Sequence, residues 1–143
     1  EGNVSLVNDT REAFISYGFG NVLLSPTVTV NYDFKEAEGF YGSLGISHSV
    51  SIADSISLDL GASLGAATSD WGDFYFGKAE GLTDYSISAS LPIAMNETFT
   101  IKPVVSYSAL LGDAKDAVDD SDDSLYFGKS DHFVFGVNAS YSF

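Results

Sequence analysis

The sequence predicts an all-β fold of antiparallel strands in up-and-down order, and three observations carry the prediction. The first is a period of two. At the C-terminus, Phe133, Phe135, Val137, Ala139, Tyr141 and Phe143 alternate with His132, Val134, Gly136, Asn138, Ser140 and Ser142. A period of two puts these sets on opposite faces of one strand. The second is that the same two-faced pattern recurs along most of the chain. The third is that the links between patterned segments alternate between short and mostly longer ones. A sheet that is greasy on one side and polar on the other, with short and long links at opposite ends, is what a transmembrane barrel requires.

Taken in order, residues 3–8 form a stub with Val4 and Leu6 on one side. Residues 12–22 place Ala13, Ile15, Tyr17 and Phe19 on the apolar face. Residues 26–34 set Val28, Val30, Tyr32 and Phe34 against Thr27, Thr29, Asn31 and Asp33, and residues 40–52 set Phe40, Leu44, Ile46, Val50 and Ile52 against Tyr41 and a run of Ser and Gly. Residues 55–68 alternate Ile56, Leu58, Leu60, Ala62, Leu64 and Ala66 with Ser57, Asp59, Gly61, Ser63 and Gly65. Residues 84–95 and 98–111 repeat the pattern, from Tyr85 to Met95 and from Phe99 to Leu111.

That makes about eight strands; a tilted membrane strand needs about nine to eleven residues, and all but the stub are long enough. The short links fall at 23–25, 53–54 and 96–97 and the longer ones at 35–39, 69–83 and 112–131. With Phe143 at the inner, periplasmic end, all three short links lie on that side, as in outer-membrane barrels. Aromatic girdles emerge at both rims: Phe143, Tyr141, Phe99 and Phe19 at the short-link end, and Phe133, Tyr85, Phe40, Phe34 and Tyr32 at the other. Two residues fit poorly. Pro103 sits mid-strand without an N–H, so a bulge or an unpaired position is expected there. His48 falls on the lipid-facing side, where the short-link interface would suit it best.

Composition narrows the class. The chain has 143 residues, enough for one domain, and is 45% apolar with 14 Gly, 11 Phe and 8 Tyr. No apolar run approaches the length of a membrane-spanning helix, which leaves a strand-built membrane protein open. No cysteine is present, so no disulfide framework or thiolate metal site can form. A net charge of −14 argues against nucleic acid as a partner. No export-signal pattern opens the sequence at Glu1, so any such signal is expected to be removed already.

An eight-stranded barrel has an interior just wide enough for side chains to fill. The inward residues here are mostly Ser, Gly, Thr and Asn, too small for that. Either water fills the lumen or more strands belong to the barrel. The stub at 3–8 favours the second, so residues 1–143 are expected to be the C-terminal portion of a larger barrel of about 10–14 strands.

Candidate chemistry is sparse. Glu12, Asp33, Asp59, Asp84 and Lys102 point inward, a net-negative pore-lining set that would bias passage toward cations; scattered polar residues in a wet interior would look the same. Asp119, Asp120, Asp122 and Asp123, with Asp113, Asp116 and Asp131 nearby, can hold Ca²⁺ or bridge through a divalent ion to lipopolysaccharide phosphates. The run lacks the Gly and closing Glu of an EF-hand loop, and a solvated acidic loop is the preferred reading of it. No other cofactor is implied. His48 and His132 fall toward opposite ends and no nucleophile motif flanks either, so no enzyme is expected. Trp71, Phe74, Tyr75 and Phe76 sit in one long link, suited to stacking on a sugar or anchoring the link. Tyr75-Phe76-Gly77-Lys78 recurs as Tyr126-Phe127-Gly128-Lys129, which would let both links fold back over the rim or pore mouth.

The terminal strand, with Tyr141 and Phe143, resembles the C-terminal strand of Gram-negative outer-membrane barrels, which ends in Phe and is read as an assembly signal by the barrel-assembly machinery. The stretches LLSPTVTVNYDF, GFYGSLGISHSV, LDLGASLGAATSDWGDFYFG, GLTDYSISASLPI and NASYSF resemble uncharacterised proteobacterial porin-like outer-membrane proteins over nearly the whole chain. The resemblance implies a bacterial outer-membrane location, outer-membrane lipid and lipopolysaccharide as surroundings, and passive diffusion of small solutes, with a homo-oligomer as a further candidate partner state. A structural or adhesive barrel, whose acidic and aromatic links bind a surface partner, lipopolysaccharide or other copies, is the competing expectation. The motifs are architectural and carry no catalytic residues across.

Overall fold

The computed structural model describes residues 10–120 and 129–143. The stub at 3–8, Asp122 and Asp123 of the acidic run, and Tyr126–Gly128 of the repeat lie outside them. The element order is β1 (Glu12–Gly18), β2 (Thr27–Asp33), β3 (Phe40–Ala53), β4 (Ile56–Ala67), α1 (Ser69–Phe76), β5 (Gly81–Ser90), β6 (Ile93–Ala94), β7 (Phe99–Leu110), α2 (Gly112–Asp119) and β8 (Asp131–Tyr141). All strand pairs are antiparallel and form one sheet in sequential order, β1-β2-β3-β4-β5-β7-β8, with the two-residue β6 beside β4 and β7. The fold is all-β, and β1 and β8 are the outer strands among the described residues.

Register confirms the separation of faces. Ile46, Ala62, Ile87, Tyr107 and Phe133 line up across five strands, and Leu60, Ala89, Val105 and Phe135 form the next row. The opposite face carries Gly18, Thr27, Gly45, Ser63, Ser86, Ser108 and His132 in one row and Ser47, Gly61, Ser88, Ser106 and Val134 in another. No second layer covers the apolar side among the described residues. Phe133, Phe135 and Val137 are 71%, 67% and 60% exposed, and the buried apolar side chains among the described residues are all alanines: Ala37, Ala67, Ala79 and Ala114. A compact soluble sandwich would reverse that distribution.

Three expectations need correction. The first strand stops at Gly18 rather than 22, because residues 19–26 turn on themselves. Phe19 N–H donates to the Pro26 carbonyl at 2.8 Å, Val22 to Phe19 and Ser25 to Val22, with Leu24 and Ser25 at positive φ. The links at 69–83 and 112–131 are not bare loops, since α1 and α2 occupy their first parts. Asp70 and Asp113 stand in the first helical turns, where the backbone dipole favours a carboxylate. Gly77, with φ 82°, closes α1, and its N–H donates to Asp73 O.

The strand expected over 84–95 is interrupted at Leu91 and Pro92. Leu91 N–H donates to Pro103 O at 3.0 Å, but Pro103 has no N–H to return the bond. Ser57 N–H likewise donates to Pro92 O at 3.1 Å, and Pro92 cannot reciprocate. The irregularity expected at Pro103 is therefore present, as a gap in its partner strand. His48 sits within β3 opposite Leu60, on the apolar face as the alternation has it.

The helix α1 lies close against the chain that follows it. A Cβ on Gly72 would collide with the Ala79 carbonyl oxygen, so only glycine permits that approach. Gly72→Ala should destabilise the α1 region by about 1–3 kcal/mol through overpacking. The emission of Trp71, the single tryptophan of the chain, checks it. A spectrum and a thermal midpoint identical to wild type would refute the close-approach argument.

Candidate functional site

Strand alternation brings most of the chemically capable residues to the polar face, and α1 gathers several of them at its long-link end. The first contact is Trp71, whose ring stacks on Tyr41 of β3 at 4.9 Å and on Tyr75 at 4.1 Å. The indole is thus flanked by two rings and is not presented outward to a ligand. Tyr75 reaches further, across β3 and β2, and its hydroxyl donates to Glu12 Oε1 on β1 at 2.6 Å. One side chain from the second long link therefore ties down the first strand.

Burial, together with the hydrogen bond to Glu12 and that carboxylate's charge, pushes the Tyr75 hydroxyl up to about 12 from its usual 10. A Tyr75 hydroxyl that stays protonated holds α1 in place; ionising it would set a phenolate against Glu12.

The five inward charges do not form one cluster. Glu12 is engaged by Tyr75. Asp33 is fully buried; its carboxylate accepts from Thr10 Oγ1, from Lys35 N–H at 2.9 Å and from Glu36 N–H at 3.1 Å. It caps the tight turn after β2, so it faces no open lumen. Asp59 accepts from Ser49 Oγ at 2.6 Å on the neighbouring strand. Lys102 pairs in register with Asn138 and makes no ion pair among the described residues. Asp84 accepts from the Tyr41 hydroxyl at 3.0 and 3.1 Å and from Thr83 Oγ1 at 2.9 Å.

The geometry around Asp84 depends on a glycine. Gly65 lies directly across from it in the ladder, and a Cβ there would collide with both the Asp84 carboxylate and the Tyr41 hydroxyl. The absent side chain lets Tyr41 and Asp84 meet flat over the sheet. Hydroxyl pairs continue the polar surface: Ser63 with Ser86 at 2.7 Å and Ser16 with Thr29 at 2.9 Å. Sequence alternation placed Tyr41 and Asp84 on one face; the clamp over Gly65 and the helix stacked on it were missed. The eight-residue segment ending at Gly77, opened by an acidic first turn, was the available signal.

Elsewhere the chemistry is thin. Asp119 accepts from Lys115 one turn earlier, which raises the lysine's pKa and lowers the aspartate's. Asp120 follows at the end of α2. Among the described residues no group of three or more acidic or histidine side chains is arranged to hold a metal. His48 and His132 stand on opposite faces of the sheet. An open groove of about 360 Å³ on the apolar face is lined by Leu60, Ile87, Ala89, Val105, Tyr107 and Phe133. No helix among the described residues is long and apolar enough to cross a membrane.

Raising the pH should release α1. A group whose pKa rises on folding contributes its full stability below its unfolded value and loses it as pH climbs through the folded one. Trp71 emission should therefore hold steady to pH 10 and change as pH approaches about 12. In Tyr75→Phe, which loses a hydrogen bond of about 1 kcal/mol, the change tied to that ionisation should vanish. An identical transition in the variant would assign it to another group. No protein-family model matches the chain, and no curated protein matches it.

Proposed function

We propose that this chain belongs to an outer-membrane β-barrel, with its apolar face against lipid and its polar face lining a water-filled passage for small solutes. The observation that carries this reading is the row-by-row separation of the faces, with Phe, Leu, Ile and Val uncovered on one side. Hydrocarbon is the surrounding that such a face needs, and strands can cross it only when every backbone group is paired. The polar side is floored by Ser, Gly and Thr, small residues that leave room for water.

Strand direction bears on closure. Among the described residues seven long strands alternate from β1 to β8, so the two outer strands run the same way. An antiparallel seam between them needs an odd number of further strands, in keeping with a barrel larger than the sheet described. The net-negative set of inward side chains favours cations over anions. The aromatic ends and the terminal Tyr141 and Phe143 suit insertion by an assembly machinery in a bacterial outer membrane. An adhesive role draws less support, because Trp71 and Tyr75 turn onto the polar face instead of outward.

Lysine scanning of the two faces tests the proposal. Leu60→Lys puts a charge in the middle of the apolar band and should cost about 2–4 kcal/mol of stability in vesicles. Ser88→Lys, one row away on the polar face, should fold nearly as wild type. Equal tolerance at both positions would remove lipid from the apolar side. Planar-bilayer recording then asks whether the assembled protein conducts, and silence across salts and voltages would remove the pore.

A further inference from the structure

We infer that the groove on the apolar face and the Asp131 carboxylate at its long-link end form one binding site for a single membrane lipid, with an acyl chain in the groove and an amine-bearing headgroup at Asp131. This rests on the reading of that face as lipid-facing and goes further by naming the lipid chemistry it prefers. The groove follows from residue size. In the row Leu60, Ala89, Val105 and Phe135, Ala89 puts a single methyl group between larger neighbours. Ile87, Tyr107 and Phe133 wall the same space from the next row. About 360 Å³ is open there, room for on the order of ten methylene-sized groups at roughly 30 Å³ each, the share of one water in the liquid. Leu60, Ile87, Val105 and Phe133 are all exposed, so nothing among the described residues fills it.

Tyr107 joins the groove to the polar end of the site. Its ring lines the groove, while its hydroxyl shares hydrogen bonds with Tyr85 and with Asp131. The Tyr85 and Tyr107 rings lie 6.1 Å apart. A tyrosine with one end in hydrocarbon and the other wet suits a membrane interface. Tyr85, Ala109 and Asp131 form one row across β5, β7 and β8, two residues nearer the long links than Ile87, Tyr107 and Phe133. Asp131 opens β8 and is exposed. Its carboxylate therefore stands at the margin of the apolar band, where acyl chain gives way to headgroup.

Charge selects that headgroup. A carboxylate only accepts hydrogen bonds, and a phenol that donates to it has only lone pairs left to offer. No ion pair to Asp131 is present among the described residues. The site thus calls for a positive donor. A primary ammonium brings three N–H groups on a compact charge. The ligand class is a lipid whose headgroup ends in a primary amine, in preference to one that ends in hydroxyls.

The test folds the full chain into phosphatidylcholine vesicles doped with a photoreactive lipid that carries a diazirine in its acyl chain and either an ethanolamine or a glycerol headgroup. Labelled peptides are then quantified by mass spectrometry. The ethanolamine lipid should label the peptides around Ala89 about two- to fivefold more than the glycerol lipid, the range of an exposed ion pair. That comparison uses the wild-type chain and needs no variant to fold. Asp131→Asn should bring the two lipids level, and Asp131→Glu should restore the difference. Ala89→Leu should fill the groove and lower labelling there by both lipids, while labelling at Leu44 on β3 persists. Equal labelling by the two lipids in wild type, or a preference unchanged in Asp131→Asn, would overturn the assignment and leave the apolar face in lipid. A chain that neither lipid labels, at Ala89 or at Leu44, would sink the membrane reading and this inference together.

Discussion

The constraint on which the molecule depends is that most of its large apolar side chains share one face and nothing in the described chain covers them. Burying a Val, Leu, Ile or Phe side chain contributes about 1.5–3 kcal/mol. With residues such as Leu44, Leu60, Ile87, Phe133, Phe135 and Val137 all at least 39% exposed, the forfeit in plain water is on the order of tens of kcal/mol. A folded domain has about 5–15 kcal/mol of net stability in all. The sheet is therefore a half-structure whose other half is its surroundings, and every functional statement follows from what those surroundings are.

The polar face is organised by different forces. Short hydroxyl and carboxylate contacts run from strand to strand, as between Ser63 and Ser86 or Ser49 and Asp59. None is strong alone, and each leaves solvent access. The exception is the long-link end, where an aromatic stack replaces water above β3. There Tyr41 serves two roles, receiving the Trp71 ring and donating to Asp84. Helix position and carboxylate orientation are coupled through that one side chain.

Much of this was legible from residue order alone. Alternation from Ile56 to Ala66 or from Phe133 to Tyr141 has one physical meaning, and the observed register repeats it. The two helices were not legible, because α1 is a single short segment whose docking depends on Gly72 approaching Ala79, a contact between loops that no periodicity encodes. Asp33 shows the same limit: alternation set its face correctly, but the Lys35 and Glu36 amides that claim it belong to the turn beyond. Pro103 lay between these cases. Its missing donor was readable, whereas the partner that would go without was not.

That gap has a mechanical meaning. Pro92 and Pro103 remove donors on opposite sides of one short stretch, toward β4 and toward β7, yet Ser90 with Val104 and Ile93 with Ile101 keep the same offset across it. The sheet thus carries a gap in its hydrogen bonding that cannot slip: donors are missing there while the alignment above and below stays locked. Amide protons beside it should be the first in the strand interiors to trade with solvent.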